Sequence, residues 1–368
     1  MITYLKVQNN NLMRYLKIIF FILISSNLLL SQIDRSKPPK SGPSPSIDLG
    51  NPKSFELDNG LKVIVVENNK LPRAFANLDI DNYPDYEGDI KGVSSMLGAM
   101  MGNGTKNQPK DSYNEEVDYM GATLFLSASG GYVSSLKRYF PRVLEMMADG
   151  LINPLFTKSD FQKEKNVALE GIKSIEKDVQ TIAGRVHSKL RYGSTHPYGE
   201  FETEESLNNI SLKDVQNYYK KYAIPNNSFL TIVGDVKYEE IKPLIESLFG
   251  KWKKGKELNY KLPQTNNLDN IEINFVDMPN AVQSEIYVGN LMDISMTNPD
   301  FFALKLGNQI LGGGASGRLF TNLREDKGFT YGSYSSASTS RYTGSFTASA
   351  SVRNEVTDSA VTEIIKEI

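Results

Sequence analysis

The chain has 368 residues and a formal net charge of −2, so it offers length for two domains and no basic excess for nucleic acid. With 40% hydrophobic and 23% charged residues it is neither disordered nor fibrous, and with no cysteine it has no disulfide, thiolate nucleophile, iron–sulfur cluster or thiolate zinc site. Only two histidines are present, His187 and His196, which excludes a three-histidine zinc centre within one chain, and their separation fits no ordinary two-histidine protease motif.

The N-terminus predicts a leader over residues 1–31. Arg14 and Lys17 precede an apolar stretch from Ile18 to Ile24 and from Leu28 to Leu30, with Ser31 as the cleavage point. Ser25, Ser26 and Asn27 break the run, which is short for a membrane span of about 20 residues. Residues 32–53 follow as a Pro/Ser-rich extended linker. The expectation is an exported protein, periplasmic or extracellular, anchored only if the leader is retained, with no stable membrane span after its removal.

From Ser54 the pattern is strand, turn, strand. Asp58-Asn59-Gly60 is a hairpin signal between Phe55–Leu57 and Leu61–Glu67. Arg73 to Asp81 alternates, with Ala74, Ala76, Leu78 and Ile80 on one face, as a half-buried strand does. Helices are predicted over Gly92–Met101, Ser112–Met120, Pro141–Leu151, Ser159 to about Val179, Ser211–Tyr222 and Tyr238–Phe249. Paired strands are predicted at Gly121–Ser129 and Gly131–Leu136, and a buried strand at Phe229–Val233. Strands and helices mix without strict βαβ alternation, which gives an α+β class.

A polar, lysine-rich stretch in 251–270 reads as a solvated linker, and then the order repeats. Asp277 to Ala281 echoes Leu71 to Ala74. Phe302–Leu311 stands where Gly92–Met101 stood, Tyr331–Val352 gives two alternating strands, and Thr357–Ile368 matches the helix at Pro141–Leu151. An offset of about 207 to 217 residues is a duplicated domain, not a solenoid. The domains are therefore placed at 54–250 and 271–368. The second is expected to be incomplete, because the first runs on for about 100 residues past the matching point and half a domain exposes apolar sheet.

Several stretches resemble the pitrilysin/insulinase family of zinc metallopeptidases, the inverted-motif zincins. Phe55-Glu-Leu-Asp-Asn-Gly-Leu-Lys-Val63 looks like the family's first hairpin, and Gly92 to Thr105 looks like its metal-binding helix. Asp118 to Ala122, His196-Pro-Tyr-Gly199, Leu311 to Phe320, Leu323-Arg324-Glu325 and Gly328-Phe-Thr-Tyr331 are also family-like. The resemblance runs from about Ser54 to Ile368. It implies a clam-shell half built of two homologous domains, each a mainly antiparallel sheet flanked by helices.

The metal site departs from the family pattern. In H-x-x-E-H the two histidines lie on one helix face and bind one zinc, and the glutamate between them activates the metal-bound water. Ser95, Gly98 and Ala99 stand at those positions. The family's later glutamate ligand falls on Gly171, with Glu164 matching the glutamate before it. Glu170 is one residue off, which turns it about 100° around a helix. A neutral Ser and small Gly and Ala hold no Zn²⁺.

By the same resemblance, Arg324 and Tyr331 match an arginine and a tyrosine that face the zinc helix. A tyrosine hydroxyl can donate to a developing oxyanion, and a guanidinium can hold peptide backbone or a carboxylate. The expectation is a non-catalytic subunit without a cofactor of its own, which donates Arg324 and Tyr331 to a zinc-bearing homologous partner acting on peptides. The alternative is a peptide-binding or assembly subunit without proteolysis. Gly312 to Gly317 is a turn before a helix rather than a phosphate loop, because Arg318 stands where Gly-Lys is needed. His196 reads as a turn residue, His187 as a partly buried helix residue, and Met96, Met100 and Met101 as core.

Overall fold

The computed structural model describes residues 41–43, 52–258 and 261–368. The predicted leader and most of the Pro/Ser linker lie outside the described residues. Residues 51–368 form one compact unit, in which two sheets carry the two repeats.

The first sheet has six strands: β1 (Lys53–Glu56), β2 (Lys62–Glu67), β3 (Arg73–Ile80), β4 (Thr123–Ser127), β5 (Gly130–Leu136) and β6 (Ser228–Gly234), in the order β1-β2-β6-β3-β5-β4. The hairpin between β1 and β2 turns at Gly60, whose φ of 88° suits glycine. The Asn59 side chain ties that turn to the domain's end by donating to the carbonyls of Phe249 and Trp252. β6 returns after a long helical excursion and enters between β2 and β3. It runs parallel to β2 and antiparallel to β3, so this sheet is mixed.

The helices of the first repeat are α1 (Val93–Met100), α2 (Lys110–Tyr119), α3 (Phe140–Ile152), α4 (Lys158–Ile175), α5 (Val179–Tyr192), α6 (Glu204–Asn209), α7 (Leu212–Tyr222) and α8 (Tyr238–Phe249). Alternation puts Ala74, Ala76, Leu78, Leu230 and Ile232 on one sheet face, where they meet Leu144, Met147 and Phe249 in a single core. Each fully buried Leu, Ile, Met or Phe side chain among these stabilises by about 1.5–3 kcal/mol. Two sequence expectations change here. The helix expected to reach Val179 ends at Ile175, and a new one starts because the Asp178 carboxylate accepts from Thr181 N at 2.6 Å, an N-cap. The stretch read as a solvated linker begins inside the core: Trp252 is buried and its indole donates to Ala223 O at 3.1 Å.

The second sheet has three antiparallel strands, β7 (Gln283–Met292), β8 (Thr330–Thr339) and β9 (Gly344–Arg353), in the order β7-β9-β8. Its small core joins Leu319, Leu323, Ala348, Val352 and Ile364 beneath α10 (Thr357–Glu367). α9 (Phe301–Leu311) is held to β8 by polar contacts, Lys305 Nζ to Ala337 O at 2.7 Å and Asn308 Nδ2 to Ser335 O at 3.1 Å.

Candidate functional site

Ser95, Gly98 and Ala99 lie on α1, and Gly171 lies on α4, which packs against α1. The sequence spacing thus produces one helix face and a neighbouring helix, as a two-helix metal site requires. Ser95, Ala99 and Gly171 are exposed and Gly98 is half-buried. A Cβ at Gly171 would meet nothing within 4 Å, and one at Gly98 would make only ordinary contact with Ala128 N at 3.7 Å. Space for larger side chains is present, whereas donors are not.

The chemistry of these four positions does not fit zinc. Their only side-chain heteroatom is the Ser95 hydroxyl, which donates to Glu202 Oε1 at 2.5 Å. Glu170 points its carboxylate into an exposed ion pair with Lys173 at 2.7 Å. Among the described residues, no group of three or more His, Cys, Asp or Glu side chains is placed to hold a metal ion.

What braces this face was not found from sequence. Glu200 accepts from the backbone N–H of Glu87 and Gly88, both at 3.0 Å, and Glu87 accepts from Gly92 N at 2.7 Å, at the start of α1. A carboxylate there satisfies an orphan helix N–H and suits the positive end of the helix dipole. Lys91 lies 3.2 Å from Glu200 and 3.7 Å from Glu87 and balances the buried pair. Burial pushes the Tyr218 phenol up, with Glu87 and Asp85 adding to it. The signal was the acid pair Glu200 and Glu202 directly after His196-Pro-Tyr-Gly199, but its partners lie more than 100 residues away in the chain.

Arg324 lies in a π-helical turn, Thr321–Asp326, and Tyr331 at the start of β8, where the ladder to β9 is irregular between Thr330 and Ser333. Arg324 stacks its guanidinium over Phe320 at 4.8 Å and sits 3.5 Å from Glu325. Tyr331 is 88% exposed. Among the described residues no hydrogen bond, ion pair or ring contact joins Arg324 to Tyr331, or either to the face at Ser95. The Gly312 loop serves packing: a Cβ on Gly312 would lie 2.6 Å from Ser335 N, so the glycine lets the chain press onto β8.

Comparison with known proteins places this geometry. Residues 63–197 match the family described as insulinase (peptidase family M16), and residues 209–368 match its companion, the peptidase M16 inactive domain. The zinc protease YmxG of Bacillus subtilis, itself uncharacterized, is 28% identical over 291 residues, covering 77% of this chain and 69% of that protein. The mitochondrial-processing peptidase subunit beta of Mus musculus is 24% identical over 223 residues, 59% of this chain and 45% of that one. A peptidase M16 inactive domain from Pseudomonas fluorescens superposes with a TM-score of 0.77 at 24% identity, covering 86% of this chain and 78% of its own. The chain belongs to the insulinase, or pitrilysin, family of peptidases.

Proposed function

We propose that this chain is a non-catalytic subunit of a heteromeric zinc peptidase that acts on peptides, exported on the strength of its leader pattern. A homologous partner supplies the zinc and the general base, and this chain presents Arg324 and Tyr331 across the substrate cavity. The observation that carries the reading is a contrast. Ser95, Gly98, Ala99 and Gly171 hold an open two-helix face with no metal donor set, while Tyr331 keeps its phenol in solvent. A phenol so placed can donate to the oxyanion of a tetrahedral intermediate formed at a partner's metal. Arg324 can hold the peptide carbonyl or carboxylate beside it.

A second reading, peptide binding or assembly without cleavage, has its own support in β4. This strand is the edge of the first sheet, packs against α1, and exposes Phe125. An unpaired strand edge can take an extended peptide as an added strand, and that requires no metal.

Purification of the native complex, with identification of the co-purifying chain and its zinc content, separates the two. In a mixed complex, Tyr331→Phe is expected to lower kcat by on the order of 10²–10³ with zinc content and assembly unchanged. Arg324→Ala is expected to weaken substrate binding as well. Full activity in the double variant would remove donation and leave the binding role. One equivalent of zinc bound at the four degenerate positions of the isolated chain would overturn both readings.

A further inference from the structure

Both histidines of the chain lie at the joint between its two repeats, and each is held in a way that requires its neutral form. α5 leaves the first repeat and packs on β7 of the second. From its last turn, Arg191 Nη2 donates to Phe346 O at 3.1 Å and Thr347 Oγ1 at 2.7 Å, both on β9. The same guanidinium nitrogen touches His187 Nε2 one turn earlier, and the His187 ring stacks on Tyr287 of β7 with centroids 5.2 Å apart. A guanidinium offers no acceptor, so a proton on the ring nitrogen facing it would have no partner there and would add a second positive charge beside Arg191. Gly289 makes the seat possible: a Cβ there would lie 2.5 Å from Arg191 Nη2 and 2.4 Å from Phe346 O.

The second contact is built on His196. Its Nδ1 accepts from Tyr198 N at 3.0 Å, which excludes a proton on that nitrogen. Its ring packs against Tyr192, with centroids 5.1 Å apart, and Tyr198, at 5.3 Å, in a cluster where the two tyrosine rings also meet at 5.4 Å. Tyr198 hydrogen-bonds Ser340 in the β8–β9 hairpin tip, and at the same tip Arg341 pairs with Asp81 of the first repeat at 2.7 Å.

We propose that this joint is acid-sensitive: the second repeat keeps its seat on the first only while His187 and His196 stay neutral, and protonating them loosens it. The charged group acting on His187 is Arg191 of its own helix. From β7 it meets Tyr287, whose phenol is pushed up by burial with Glu285 and Asp178 adding, and from β9 only a carbonyl and a hydroxyl bound through Arg191. Burial, with Arg191 adding, holds His187 down at about 4, and burial lowers His196. Both shifts are depressions, so the sign follows. Above pH 6.5 the released histidine is also neutral and the joint feels no pH. Below it the released form takes protons that the seated form refuses, and opening gains until the seated pKa is reached. Each histidine contributes at most about tenfold per pH unit to the open-to-closed ratio.

The test uses the full chain, whose lack of native cysteine permits clean labelling. Spin labels at Glu115→Cys and Thr362→Cys report one distance across the joint. The expected result is a narrow distribution at pH 7.5 that broadens and lengthens at pH 4.5 with far-UV circular dichroism unchanged. The double variant His187→Gln, His196→Gln, whose amides keep acceptors that do not titrate, is expected to retain the narrow distribution at pH 4.5, His187→Gln alone to broaden less than the wild type, and Arg191→Met to be broad at both. An unchanged wild-type distance at pH 4.5, or a doubly substituted chain that opens as the wild type does, would overturn the proposal. If the double variant does not fold, histidine C2–H titration of the wild type decides: a His187 midpoint near 6.5 overturns it and one near 4 supports it.

Discussion

The two repeats begin alike in sequence and end differently in structure. In the first, β6 lies between β2 and β3 and joins them into one sheet, while α4 and α7 cover α1. In the second, no described strand takes the place of β6 and no described helix covers α9. The alternating segment at Ile271, Ile273 and Phe275 belongs to no sheet and leaves these residues 90%, 89% and 84% exposed. Phe302, Leu306 and Ile310 form an apolar stripe on α9 that faces outward. Alternation and helical spacing state what a segment can do, but only a partner element makes it buried structure. The same lesson applies at the site, where Ser95, Gly98 and Ala99 on α1 and Gly171 on α4 stand on packed helices and their side chains offer no metal donor set.

The largest effect expected from this comparison is in α1. Met96 is 2% exposed and Met100 1%, both in the first core. Met96→Ala is expected to cost about 2–5 kcal/mol, the lost transfer energy plus a cavity that a close-packed core fills only in part. Urea unfolding measures it. A cost near zero would mean that α1 is not packed as described and that the contrast with α9 is not real.

Local signals in the sequence were the ones that survived folding. The Asp58-Asn59-Gly60 turn, the alternation of Arg73 to Asp81 and the periodicity of α1 each rest on residues within one or two turns of one another, and each is in place. The parallel pairing of β2 with β6 joins Val65 to Ile232 across the whole first repeat, and no local pattern states a partner. Trp252 sits in a lysine run that reads as solvated, yet its ring is drawn into the core and its lysines are left outside. The break before α5 had a signal in Asp178, a cap residue, which lost to the charged periodicity around it. At the site, the spacing of Ser95, Gly98 and Ala99 was legible because it is helical. The Ser95–Glu202 bond was not, because it joins residues 107 apart.

A smaller effect sharpens the comparison through charge. In the first repeat Glu116 on α2 accepts from Arg142 on α3 at 2.6 and 2.9 Å and from Gln108 at 2.9 Å. The Arg142 hydrogen bonds come first among the causes that hold its carboxyl down at about 2, against an ordinary 4.5. A depressed carboxylate stabilises the fold above pH 4.5, and that contribution is lost as pH falls from 4.5 towards 2. Glu116→Gln is expected to cost less than about 1 kcal/mol at pH 7, since both side chains are about a third or more exposed. The difference from wild type should fade on the way to pH 2. Thermal unfolding at pH 7, 4 and 2.5 reads it, and a gap that stays constant over that range would mean that the pair is not what holds Glu116.

The smallest expected effect is the most informative for the second repeat. Leu306 is 64% exposed and, by the sequence repeat that sets Phe302–Leu311 against Gly92–Met101, corresponds to Met96. Truncating an exposed side chain removes little buried area and leaves no cavity, so Leu306→Ala should lie within about 0.5 kcal/mol of wild type. Alanine is also the better helix former, which offsets part of any loss. The same urea experiment that reads Met96→Ala reads this variant at low protein concentration. A cost of about 2 kcal/mol or more would show that something covers the α9 stripe in solution, and that the two repeats are more alike than their described residues are. If that cost grew with protein concentration, the cover would be another molecule. If it did not, the cover would come from the same chain.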